Sequence, residues 1–283
     1  MFSNAIFAGG GSRCFWQLGF WWGANRAGLK LRSQVRFAAA TSAGSAVALA
    51  AMLGREEEAL AAFQRMARDN PGNLHWRNLK PGSHAPVLPH MVMFRSIMAE
   101  LLTDQDLGRL ADRELVFLIA RCPPLLPGAL SALLGFSTYG LEKWLTGRVH
   151  PEWSRRLGFA PIVASSRDAR TTQELTDMVL ASSCVPPLLP SPPYKGERIL
   201  DGGMIDNVPA FLTEGHPGRT LVLLSKRYRR PLPEVVNRLY LQPSEPITLD
   251  KFDYADPEGL QRVFDLGCTD GQRFAAAQTP SQL

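Results

Sequence analysis

No aspartate or glutamate precedes Glu56, although basic residues appear from Arg13 onward. That absence argues against a nicotinamide or flavin fold. The glycine cluster Gly9-Gly10-Gly11 has the look of a dinucleotide turn, but such a turn needs an acidic residue some twenty positions on to hold a ribose. The second strand candidate ends in Thr41-Ser42 instead. Cysteine is scarce: Cys14, Cys122, Cys184 and Cys268 form no C-x-x-C pair. Neither a disulfide framework nor a zinc site is expected, and buried thiols in a reducing compartment are the plainer reading. No charge-free apolar run reaches membrane-spanning length. The nearest, "VFLIARCPPLLPGALSALLGF", is interrupted by Arg121 and three prolines. The first charge follows the glycine cluster, so no secretory signal peptide is expected, and a cytoplasmic location follows.

What remains is a globular chain of 283 residues, 45% hydrophobic and 20% charged. That length suits a single domain over 1–283, with an apolar insert near 123–158 and a helical tail near 256–277. The formal net charge of +5 favours anionic partners. The basic run Lys226-Arg227-Tyr228-Arg229-Arg230 reads as a solvated edge, and no nucleic acid is expected.

The opening order is β-loop-α-β-turn-α, which implies an α/β fold with a parallel sheet. "NAIFA" (4–8) is a buried strand running into the glycines. A helix follows, capped by Ser12 and closed by Gly28, with Gly19 and Gly23 on one face where a neighbour can approach closely. "VRFAAA" is the second strand and "SAGSAVALAAML" the second helix, closed by Gly54. Residues 55–72 form a surface helix, with glutamates first and arginines late, as the helix dipole favours. "MFRSIMAELL" is helical, and "LVFLIA", "APIVAS" and "RTLVLLS" are strands. Prolines and glycines break the insert, and Gly267 breaks the tail helix.

Three segments carry candidate chemistry. The loop Gly9-Gly10-Gly11-Ser12-Arg13 exposes backbone N–H groups at a helix start, which suits an oxyanion. Ser42 sits between strand and helix with small neighbours Ala40 and Gly44, the context of a nucleophile elbow; a plain N-cap serine is the competing reading. Asp201, in "ILDGGMIDNVPA", ends a strand and precedes Gly202 and Gly203; an Asx turn competes with a reactive carboxylate. Asp206 and Asn207 look like turn or cap residues. Among the five histidines only His216 lies beyond Asp201. A Ser42–Asp201–His216 triad fits the α/β-hydrolase order, yet too few strands precede Ser42 for that fold.

Taken together these segments resemble the patatin-like phospholipases, also called lipid acyl hydrolases. The glycine loop is similar to the family's oxyanion loop, Thr41-Ser42-Ala43-Gly44 to its G-x-S-x-G elbow, and Leu200-Asp201-Gly202-Gly203 to its D-G-[AG] motif, with Asn207 and Pro209 downstream. "ASSCVPPLLPSPP" resembles the stretch that precedes that aspartate. Two positions depart: Ala40 replaces the first glycine of the elbow and Cys14 the last glycine of the loop, where it would narrow the oxyanion site.

The resemblance implies a three-layer α/β/α fold with a mostly parallel central sheet. It implies a Ser42–Asp201 dyad that cleaves carboxylic esters of phospholipids, lysophospholipids or related acyl lipids, with N–H groups of Gly10, Gly11 and Ser12 holding the oxyanion. No metal or organic cofactor is implied. The alternative is a lipid- or phosphate-binding module of the same fold with weak turnover. The insert's Leu126, Leu130, Leu133 and Leu134, with Phe136, Tyr139 and Trp144, suggest a short apolar flap that touches an anionic membrane peripherally.

Overall fold

The computed structural model describes all residues except 81, 83–86, 125–127, 151–152, 186–193 and 279–283, together with the side chains of 79, 128, 129, 136, 143 and 144. Leu126, the side chains of Phe136 and Trp144, and most of the proline-rich stretch before Asp201 therefore lie outside the described residues.

Strand and helix alternate from the start: β1 (Phe2–Phe7), α1 (Phe15–Arg26), α2 (Leu31–Gln34), β2 (Phe37–Thr41), α3 (Ala43–Leu53) and α4 (Glu56–Asp69). Next come α5 (His90–Leu101), α6 (Asp104–Arg109), β3 (Glu114–Arg121), α7 (Gly128–Thr146), α8 (Trp153–Arg156), β4 (Ala160–Ser165) and α9 (Thr172–Ser182). The chain closes with β5 (Ile199–Asp201), β6 (Arg219–Leu223), β7 (Arg238–Leu241) and α10 (Pro257–Gln278). Among the described residues, seven strands join one sheet, ordered β4-β3-β2-β1-β6-β7, with β5 also on β3. Pairing is parallel from β3 through β7, while β4 and β5 run antiparallel to β3.

Successive side chains of a strand face opposite ways, so each strand feeds two cores. Phe7, Ala38, Ala40, Phe117 and Leu223 pack under α1, α3, α4, α5, α9 and α10. Ile6, Ala39, Leu118 and Val222 face the other way, where Ala132 of α7 and the segment from Met204 to Ala210 cover them. Helical layers thus flank both faces, as a mostly parallel sheet buried on both sides requires.

The tightest helix pair is α1 with α10. A Cβ on Gly19 would stand 2.0 Å from the Phe264 carbonyl, and one on Gly267 2.1 Å from the Trp16 carbonyl. Gly23 and Gly271 repeat the arrangement one turn on, against Cys268 and Phe20. Four glycines therefore let two backbones meet with no side chain between them. This corrects the break expected at Gly267: α10 runs through it, because its missing side chain serves packing and not helix termination.

Two other expectations need revision. The insert is not broken over residues 128–146, where α7 is one continuous helix of 19 residues. Its Gly135 is where Met204 packs, since a Cβ there would lie 2.4 Å from the methionine methyl. Ser12 does not cap α1: a 3-10 turn from Gly11 to Cys14 precedes that helix, and the Ser12 hydroxyl donates to the Asp250 carbonyl at 2.6 Å. Helix α9 and strand β7 were not expected from the sequence.

Candidate active site

Strand β3 aligns the site. Its N-terminal half pairs with β2, ending at Thr41 opposite Leu118; its next residue, Ile119, pairs with Asp201 of β5. Two segments distant in sequence thus meet end to end along one edge, and the residue between those ends is Ser42. A side chain at Gly202 would collide with the Leu118 carbonyl, 2.0 Å from where its Cβ would be.

Ser42 holds φ 55° and ψ −140°, in the left-handed half of backbone space that non-glycine residues avoid. Ala43 begins α3 at once, and the Ser42 hydroxyl makes no capping bond to that helix. It donates instead to Asp201 Oδ2 at 2.6 Å. Gly44 is small because a Cβ there would lie 2.6 Å from the Ala8 carbonyl. Ala40 is wholly buried and its methyl belongs to the core, so alanine serves in place of glycine at this strand end.

Asp201 is buried, and its other oxygen accepts the Gly203 N–H at 2.7 Å. Burial pushes its carboxyl up from the ordinary range; the Lys251 ammonium, the Ser42 hydroxyl and the Gly203 N–H oppose that shift. A carboxylate held out of water beside a hydroxyl is a stronger base than a solvated one. The Asx turn expected as a competing reading is also present, through Gly203.

The glycine loop is pinned from three sides. Asn207 and Ser225 side chains both donate to the Gly9 carbonyl, at 2.5 and 2.6 Å. The Gly9 N–H donates to the Asn207 carbonyl at 2.9 Å. Gly11 takes φ +60°, and a Cβ there would stand 1.8 Å from the Lys251 carbonyl. The Ser12 N–H is engaged by that same carbonyl at 3.0 Å, and Arg13 Nε donates to the Leu249 carbonyl at 2.9 Å. Ser12 and Arg13 therefore anchor the loop to residues 249–251 and do not join the pocket. Among the described residues, the N–H groups of Gly10 and Gly11 donate to no protein acceptor. Cys14 is buried in the core with its thiol toward the Ala8 carbonyl, and it does not line the pocket.

Ser42 and Asp201 open onto a pocket of about 200 Å³. Sequence reasoning missed several residues that shape it. His90 and Phe94 come from α5, and Lys251, Phe252 and Tyr254 from the segment before α10; Tyr139 of α7, expected in the apolar insert, lines the pocket as well. The His90 Nε2 donates to the Phe252 carbonyl at 2.9 Å, and burial lowers its pKa from the ordinary imidazole value. His216 lies elsewhere, stacked on Phe37 with ring centroids 3.6 Å apart. Phe37 opens β2 and Ser42 follows its end, a separation of about 16 Å along an extended strand. His150 pairs with Asp206 at 2.8 Å and with Tyr240 at 3.1 Å, and it too is outside the pocket.

A model of the patatin-like phospholipase family matches residues 5–213. The chain belongs to that family. Membership supports lipid acyl hydrolase chemistry in general terms, and the patatin fold agrees with the flanked, mostly parallel sheet. No curated protein matches the chain. The match to the patatin-like model ends before Lys251, so the segment that pins the glycine loop and lines the pocket lies beyond it. Among the described residues, no cluster of histidine, cysteine or acidic side chains could hold a metal ion, and no helix is long and apolar enough to cross a membrane.

Proposed function

We propose that this protein is a serine hydrolase of acyl lipids, cleaving carboxylic ester bonds of phospholipids, lysophospholipids or related acyl lipids with a Ser42–Asp201 dyad. The observation that carries the reading is the 2.6 Å hydrogen bond from a serine at positive φ to a buried carboxylate.

In this scheme Ser42 Oγ attacks the ester carbonyl carbon as its proton passes to Asp201 Oδ2. The carbonyl oxygen becomes an oxyanion between the N–H groups of Gly10 and Gly11, each worth ~3 kcal/mol of barrier when preorganised. The N-terminus of α3 behind Ser42 adds a favourable partial positive charge. Collapse breaks the ester C–O bond, and Asp201 returns its proton to the departing alcohol. Water then gives a proton to Asp201 as its oxygen attacks the acyl-serine carbonyl; the bond from that carbon to Ser42 Oγ breaks, Asp201 passes the proton to Ser42 Oγ, and the fatty acid is released. Aromatic and aliphatic walls from Phe94, Phe252, Tyr254 and Val185 suit an acyl chain.

The test is a serine-reactive fluorophosphonate followed by peptide mapping, with fatty-acid release measured on phospholipid, lysophospholipid and soluble ester substrates. Labelling at Ser42, with release from at least one of these, is expected. No label and no release would leave a binding module of the same fold.

A further inference from the structure

We propose that the outward face of α7, the helix whose inner side lines the Ser42 pocket, is a docking surface for an anionic lipid layer. The proposal rests on the acyl-lipid reading for what the pocket takes from that layer.

Helix α7 carries apolar side chains on its outer side as well as its inner one. In a helix lying on a water-soluble protein, apolar side chains face the core and polar ones face water. Here Leu130, Leu133, Leu134, Leu141 and Leu145 are all exposed, with Leu133 64% and Leu141 and Leu145 each 51% accessible. Their spacing places them along one side of the helix. The inward side holds Ser131 and Glu142, both fully buried. The Glu142 carboxylate accepts the Trp153 N–H at 2.8 Å, so its polar group is satisfied inside. Five outward leucines are costly in water and favourable in an acyl-chain boundary. The helix is not long and apolar enough to span a bilayer, so it would lie on the surface.

Two further observations choose lipid over another occupant. The first is charge. The Arg230 side chain lies against Gly147, its Nε 3.2 Å from where a Cβ would be, just past the end of α7. Arg148 and Arg229 are exposed beside it, so an arginine group borders the leucines at this end. Apolar side chains next to cations match a layer with acyl chains below anionic headgroups. The second is continuity with the pocket. Tyr139, on the inner side of α7, lines the Ser42 pocket, and so does Met204, which packs into Gly135. The helix that carries the leucines on its outer side is thus itself part of the pocket wall.

Co-sedimentation with phosphatidylglycerol vesicles, with phosphatidylcholine vesicles as control, tests this. The wild-type protein should bind the anionic vesicles, more weakly in high salt. Leu133→Asp with Leu141→Asp should lower partitioning about tenfold or more, while kcat/KM for a soluble short-chain ester stays within about twofold. If that variant does not fold, Arg229→Glu with Arg230→Glu, outside α7, decides: it should also weaken anionic binding, and unchanged binding overturns the proposal. A wild-type protein that ignores both vesicles overturns it. So does a dimer, seen by light scattering, that the leucine pair dissociates without altering vesicle binding, because the face would then join two copies. Vesicle binding without any esterase activity would sink the hydrolase reading and leave the docking face standing.

Discussion

The Ser182 hydroxyl accepts the backbone N–H of Ser42 at 3.0 Å, and so fixes the strained residue from the end of α9. The same hydroxyl donates to the Leu118 carbonyl at 2.7 Å and accepts from Ser45 Oγ at 3.1 Å. One buried serine thus ties together the elbow, the helix behind it and the strand that aligns the site. Ser182→Ala would leave the Ser42 N–H and the Leu118 carbonyl without this partner. A loss of about 1–3 kcal/mol in urea unfolding is expected, with a lower kcat at unchanged KM. A variant of wild-type stability and turnover would mean that the elbow holds its shape unaided.

The dyad has a non-additive signature. Ser42→Ala and Asp201→Asn should each abolish ester hydrolysis, and the double variant should be scarcely worse than either, since both residues act in one step. His216→Ala should keep most activity, because its ring is stacked on Phe37 away from the pocket. Full loss in the His216 variant with a mild Asp201→Asn effect would point to a histidine base instead.

Activity should fall on the acid side at a pH above the ordinary carboxylate range. Asp201 must be ionised to take the serine proton, and burial raises its pKa. Lys251 opposes that shift, so Lys251→Met should move the acid limb of the kcat/KM profile to higher pH. The stability consequence has a definite sign. A carboxyl whose folded pKa is raised stabilises the fold below its unfolded pKa, and that contribution is lost as pH rises through the folded value. At neutral pH the charged Asp201 is therefore a cost, and Asp201→Asn should not lower the Tm there. A clear drop in Tm would show that its hydrogen bonds outweigh its desolvation.

The α1–α10 contact can be probed away from the site. Gly267→Ala puts a methyl 2.1 Å from the Trp16 carbonyl, a backbone atom that cannot swing aside. Alanine has the better helix propensity, yet the crowding should dominate and cost about 1–3 kcal/mol. Gly108→Ala, with nothing within 4 Å of the new methyl, is the control and should be neutral or slightly stabilising. Equal effects from the two would mean that the helices slide apart at little expense.

Local sequence determined the parts of this protein that are local in physics. Alternating buried strands and helices, the closing Gly28 and Gly54, and the close-approach pair Gly19 and Gly23 were all legible, because propensity and turn chemistry act over a few residues. So were Ser42 and Asp201 as candidates, through small neighbours that a tight turn demands. Glycine itself was ambiguous: Gly267 read as a break, since a missing Cβ looks the same whether it ends a helix or admits a second one. The insert read as broken for the same reason, although α7 is continuous and Gly135 leaves room for Met204. Only the tertiary structure decided the rest. The register of β3 set Asp201 next to Ser42 across 159 positions of chain. It turned Ser12 and Arg13 toward residues 249–251 and away from the pocket. Ser182, His90 and Lys251 had no signature to find, because a buried hydroxyl, an imidazole and an ammonium acquire their roles from what packs against them, and that is set by contacts between segments far apart in the chain.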